Sequence, residues 1–61
     1  MPIIHVEMFT GRTVEQKREY VEVVTRETCR ILKCTPEDVN ILFDEIPRDR
    51  WAFGGKLCSE S

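Results

Sequence analysis

Residues 13–33 read TVEQKREYVEVVTRETCRILK, and this stretch decides the fold. Thr13 followed three positions later by Gln16 matches a capping box, in which each side chain reaches the other residue's backbone N–H. The spacing predicts a helix from about Val14 to Lys33. Val14, Val21, Val24, Thr28, Ile31 and Leu32 recur at helical spacing and form the expected buried stripe. Glu15, Lys17, Arg18, Glu22, Arg26 and Arg30 suit an outer face.

Both flanks of this helix alternate in polarity. Upstream, over residues 2–8, Ile4, Val6 and Met8 fall on one side and Ile3, His5 and Glu7 on the other, the period of a half-buried strand. Phe9-Thr10-Gly11-Arg12 turns toward the helix, and Gly11 supplies the unusual backbone angle such a turn asks for. Downstream, Thr35-Pro36-Glu37-Asp38 predicts a very short helical start. Thr35 can cap, Pro36 fits the first helical position and the acids favour the positive helix end. A second strand follows over Val39-Asn40-Ile41-Leu42-Phe43-Asp44-Glu45-Ile46. Pro47-Arg48-Asp49-Arg50 then turns, Trp51-Ala52-Phe53 forms a short extension, and Gly54-Gly55 breaks it. Residues 56–61 read as a tail that frays or docks on a neighbour.

Strand, long helix and strand make an α/β chain, a small βαβ unit whose two strands run parallel with a right-handed crossover. Residues 1–61 form one domain. A chain this small buries only about 60% of its unfolded surface, and a two-stranded sheet is marginal alone. The three cysteines (Cys29, Cys34, Cys58) are an odd number without a secretory leader and make no disulfide framework. They are also poorly spaced for zinc, with His5 far away in sequence. Oligomerisation that completes the two strands into a larger sheet is the expected support. A net charge of −2 with acids and bases interspersed gives no footprint for nucleic acid. No stretch is apolar enough to span a membrane. Reduced cysteines suit a cytoplasmic protein.

Met1-Pro2 precedes the first strand. A small second residue permits removal of Met1, which leaves Pro2 with a secondary amine in or near apolar surroundings. Desolvation lowers the pKa of an amine that starts near 7.7–8.0, roughly, which suits general base work at neutral pH. With Met1 in place the same nitrogen is an amide and has no such chemistry.

Taken together, Met1-Pro2-Ile3-Ile4, the Gly11-Arg12-Thr13 turn, the Glu15-Gln16-Lys17 helix start and the aromatic-x-x-Gly-Gly pattern from Trp51 to Gly55 resemble the 4-oxalocrotonate tautomerase family. The resemblance covers nearly the whole chain. It implies a cofactor-free, metal-free isomerase moving a proton between a 2-hydroxydienoate or enol and its keto isomer. It also implies a homohexamer built as a trimer of dimers, and a role in aromatic compound catabolism. Carried over, Pro2 is the catalytic base, Arg12 binds a substrate carboxylate, and Trp51 forms part of the apolar wall. Asn40 occupies the position where the family pattern has a second arginine reaching a neighbouring subunit's site. An amide donor there carries no charge and makes a weaker hydrogen bond. Arg48 or Arg50 is a candidate to supply the missing charge.

Two other readings share this pattern. A hydratase or dehalogenase, or a biosynthetic relative, would use the same proline with a carboxylate to activate water, Glu7, Asp44 and Glu45 being candidates by type. A non-catalytic subunit of a mixed oligomer would keep Met1. His5 reads as an interface or hydrogen-bonded residue and the cysteines as packing residues.

Overall fold

The computed structural model describes residues 2–60, so the expected loss of Met1 lies outside the described residues. The elements in order are β1 (Ile3–Phe9), α1 (Val14–Leu32), β2 (Asn40–Ile46), β3 (Ala52–Phe53) and β4 (Lys56–Leu57). Short 3₁₀ turns lie at Pro36–Asp38, Arg48–Arg50 and Cys58–Glu60. β1 and β2 pair in parallel, from Ile3 opposite Asn40 to Phe9 opposite Ile46. The ladder extends at both ends, with Asn40 N–H donating to Pro2 O at 3.0 Å and Thr10 N–H donating to Ile46 O at 3.2 Å. The expected βαβ unit is therefore present.

Helix α1 starts where the capping box predicts. Thr13 Oγ1 accepts from Gln16 N–H at 3.1 Å and Gln16 Oε1 accepts from Thr13 N–H at 2.9 Å. It ends at Leu32, one residue before the expected boundary, because Lys33 takes the left-handed conformation (φ 59°, ψ 52°) that closes a helix. The N–H groups of Lys33 and Cys34 both donate to the Cys29 carbonyl, at 3.0 and 3.3 Å.

The buried stripe is narrower than the periodicity predicts. Val21, Val24 and Thr28 are half-buried, whereas Val14, Ile31 and Leu32 are 59%, 61% and 59% exposed. A sheet of only two strands, about 5 Å apart, covers a strip of helix and no more. Lys17, expected on the outer face, instead lies along the sheet, its Nζ 2.8 Å from Glu45 Oε2. Its methylene stem covers apolar surface while its head meets a charge. One turn later the Tyr20 ring meets the Phe43 ring at 5.8 Å between centroids. On the opposite face of the sheet Ile3 and Leu42 are 63% and 53% exposed, and no described residue is fully buried.

The segment after Trp51 is not a loose tail. Gly54 and Gly55 both adopt positive φ (60° and 85°), the backbone demanded by a tight two-residue hairpin turn. They join β3 to β4 in an antiparallel pair, with Ala52 opposite Leu57 and Phe53 opposite Lys56. Cys58 N–H then donates to Trp51 O at 2.8 Å. A glycine pair read as a break is here a reversal.

The turn before β2 carries a pH-sensitive contact. Asp38 Oδ2 accepts from Thr35 N–H at 3.2 Å and from Thr35 Oγ1–H at 3.1 Å. These bonds, the backbone one first, hold the Asp38 carboxyl below the usual carboxylate range. A depressed folded-state pKa contributes stability that is fully present above the unfolded value, about 3.9, and lost as pH falls through the folded value. Asp38→Asn is therefore expected to flatten the acid limb of the stability curve. Thermal melts across the range below about pH 5 read the difference; an acid limb identical to wild type removes Asp38 as its source.

Candidate active site

The parallel register divides the four candidate residues between two ends of the sheet. Pro2 and Asn40 share the end where the strands begin. Pro2 is half-buried there, and its carbonyl is held by the Asn40 backbone N–H at 3.0 Å. The Asn40 side chain belongs to an exposed residue and is available to a ligand or a neighbour.

Arg12 and Trp51 lie beyond the other end. Gly11 turns the chain there with φ 122°, and exposed Arg12 follows it. Arg12 contributes to a groove of about 310 Å³ between helix and sheet, together with Val6, Met8, Gln16, Tyr20 and Phe43. Trp51 packs on Phe9, the last residue of β1, with ring centroids 4.4 Å apart and planes inclined by 48°. The Arg48 guanidinium sits over the same Phe9 ring, 4.1 Å from its centroid, an arrangement that attracts a cation to the ring's negative face. Arg50, by contrast, meets no side-chain partner among the described residues.

Seven residues of β1 separate the two ends. At about 3.3 Å per residue that is more than 20 Å, roughly. The groove that Arg12 lines reaches back along β1 as far as Val6 and does not include Pro2. The Phe9–Trp51–Arg48 cluster escaped the sequence reading. A parallel register with Phe9 at the strand's end would have pointed to it, since that register sets Phe9 beside Ile46, one residue before the Pro47 turn.

The carboxylates are differently occupied. Glu45 is taken up by Lys17. Glu7 and Asp44 are direct partners across the ladder, a like-charge pair that costs stability. His5 approaches it, with Nε2 3.8 Å from Asp44 Oδ2. The three side chains place possible ligand atoms within 4.8 Å of one another, yet all are exposed and nothing around them encloses an ion. No described helix is long and apolar enough to cross a membrane.

Comparison with known proteins gives a consistent result. A family profile described as "Tautomerase enzyme" matches residues 2–61. A probable tautomerase of Halalkalibacterium halodurans is 35% identical over 60 residues, covering 98% of each chain. The 2-hydroxymuconate tautomerase of Bacillus subtilis is 37% identical over 60 residues, 98% of this chain and 97% of its own. Among solved structures, a 4-oxalocrotonate tautomerase homologue superposes with a TM-score of 0.94 at 38% identity, covering 100% of this chain and 97% of the other.

Proposed function

This chain belongs to the tautomerase family and is an isomerase of that type; we propose that it is a cofactor-free keto–enol tautomerase of small 2-hydroxydienoate or enol carboxylates, with the Pro2 amine as general base and acid. The observation that carries the reading is the fixed position of Pro2. Its carbonyl is tied into the ladder by Asn40 N–H at 3.0 Å, so its nitrogen is held at one point at the sheet's end. Removal of Met1 turns that nitrogen into a secondary amine. The neutral amine takes the proton of the enol hydroxyl as the C=O bond forms. The protonated proline then returns a proton to the conjugated carbon.

The rest of the site comes from a second copy of the chain. The strand argues for this, because the groove that Arg12 helps to line reaches back along β1 only to Val6, four residues or about 13 Å short of Pro2. Assembly, with a homohexamer as the expected form, also covers the bare sheet face around Ile3 and Leu42, which are 63% and 53% exposed. Arg12 then holds the substrate carboxylate through a charged, bidentate pair. Trp51 walls the pocket and keeps water out, which strengthens each charge interaction inside it. Of the two arginines in the turn, Arg48 is the better candidate for a second cation, since Phe9 holds it beside Trp51.

Asn40 sets the substrate preference. Without a second arginine at that position, the advantage of a dicarboxylate over a monoacid is expected to be small. The test compares ketonisation of 2-hydroxymuconate, a dicarboxylate, with that of phenylenolpyruvate, a monoacid, in protein whose intact mass lacks one methionine. Wild type is expected to turn over both. Asn40→Arg is expected to raise the kcat/KM ratio in favour of the dicarboxylate by about tenfold or more, the effect of replacing a neutral donor with a charged one. Turnover of neither enol by the processed protein overturns the proposed function. A strong dicarboxylate preference in wild type overturns only the role given to Asn40.

A further inference from the structure

At the end of α1, two thiols that the proposed reaction does not use face each other. Cys34 Sγ lies 4.0 Å from Cys29 Sγ, and both residues are half-buried. Their backbones are already joined, Cys34 N–H donating to Cys29 O at 3.3 Å across the left-handed Lys33. We propose that Cys29 and Cys34 form a reversible intramolecular disulfide, a redox modification site that staples the last turn of α1 to the segment leading into β2.

The geometry needs little change. A disulfide places its sulfurs about 2.05 Å apart, so the thiols must close by about 2 Å, within the reach of a side-chain rotation. No helical hydrogen-bond ladder has to break, because Cys34 already lies outside α1. The remaining cysteine, Cys58, belongs to the 3₁₀ turn that closes the hairpin. That turn docks against Trp51, beyond the opposite end of the sheet.

The chemistry requires a thiol-oxidising partner, for which glutathione disulfide serves. One thiolate attacks a glutathione sulfur, forming a mixed disulfide and expelling one glutathione thiolate. The second protein thiolate attacks the sulfur of its neighbour and expels the other. The protein loses two electrons and two protons, and two molecules of reduced glutathione result. Desolvation, followed by the Cys34 thiol and the Asp38 and Glu37 carboxylates, raises the Cys29 thiol above its ordinary range. The raised pKa leaves little of Cys29 as thiolate at neutral pH, which slows its own attack on an oxidant.

The staple lies at the Pro2 end of the molecule. Five residues separate Cys34 from Asn40, whose backbone N–H holds Pro2, and the intervening turn is the one clasped by Thr35 and Asp38. The full protein is incubated with oxidised glutathione, then alkylated and digested with trypsin. Cleavage after Arg26, Arg30, Lys33 and Arg48 puts the two cysteines on separate peptides, 27–30 and 34–48. The expected product is those two peptides joined, with the intact protein lighter by about 2 Da, both changes reversed by dithiothreitol. Cys58→Ser is expected to keep the link, and Cys29→Ser or Cys34→Ser to abolish it. Both thiols remaining alkylatable, stable glutathione adducts without the joined peptides, or links only between chains would each overturn the proposal. The wild-type peptide map decides this even where a serine variant folds poorly.

Discussion

A chain that retains Met1 is expected to ketonise 2-hydroxymuconate about 10²–10⁴-fold more slowly than the chain that begins at Pro2, the span that general acid–base catalysis supplies. The reason is electronic. In the Met1–Pro2 peptide bond the nitrogen lone pair is shared with the carbonyl, so it accepts no proton at neutral pH. The free secondary amine has that lone pair available. The fold is indifferent to this change, because the contact that fixes Pro2 runs through its carbonyl to Asn40 N–H and not through its nitrogen. Intact mass sorts the two forms and circular dichroism confirms that both are folded, so kcat/KM reports the amine alone. The processed form should also gain activity as pH rises and the amine loses its proton, a limb absent from the form that retains Met1. Pro2→Ala in the processed chain keeps an amine, but a primary one free to rotate and more fully hydrated, and most activity should go with it. Equal rates for the two mass forms would remove Pro2 from the mechanism.

The elements around Pro2 were legible because period and cap each have a single structural meaning. Alternation over residues 2–8 marks β1, which forms at Ile3–Phe9, and Thr13 with Gln16 marks the first turn of α1. Other features depend on matters that residue order alone does not express. Lys17 falls outside the apolar stripe of α1 and so suits an outer face, yet its stem runs along the sheet to Glu45 because the two-stranded sheet is too narrow to exclude it. Gly54 and Gly55 permit either a break or a reversal, and only the pairing of Ala52 with Leu57 distinguishes them. The 4.0 Å approach of Cys34 to Cys29 arises from the left-handed Lys33, a conformation that a lysine does not advertise. The residue types of the candidate site were visible as a set. Their separation into two ends of the sheet needed the strand register.

That separation makes the second large effect specific. Arg12→Ala is expected to lower kcat/KM for 2-hydroxymuconate about 10- to 150-fold, since a hydrogen bond to a charged group is worth about 1.5–3 kcal/mol. Arg12→Lys should recover part of this, keeping the charge and losing the bidentate fork. The decisive measurement mixes the two damaged chains. If each site takes Pro2 from one copy and Arg12 from another, co-refolding equal amounts of Pro2→Ala and Arg12→Ala chains regenerates sites with both residues intact. Random pairing yields about one quarter of the sites in that form, so activity should rise to about a quarter of wild type from two nearly inactive parents. A site contained within one chain has no such route, because every Pro2 in the mixture would then share its chain with an alanine at position 12. Mixed protein no more active than its parents would place both residues in a single subunit, against a β1 span of seven residues between them.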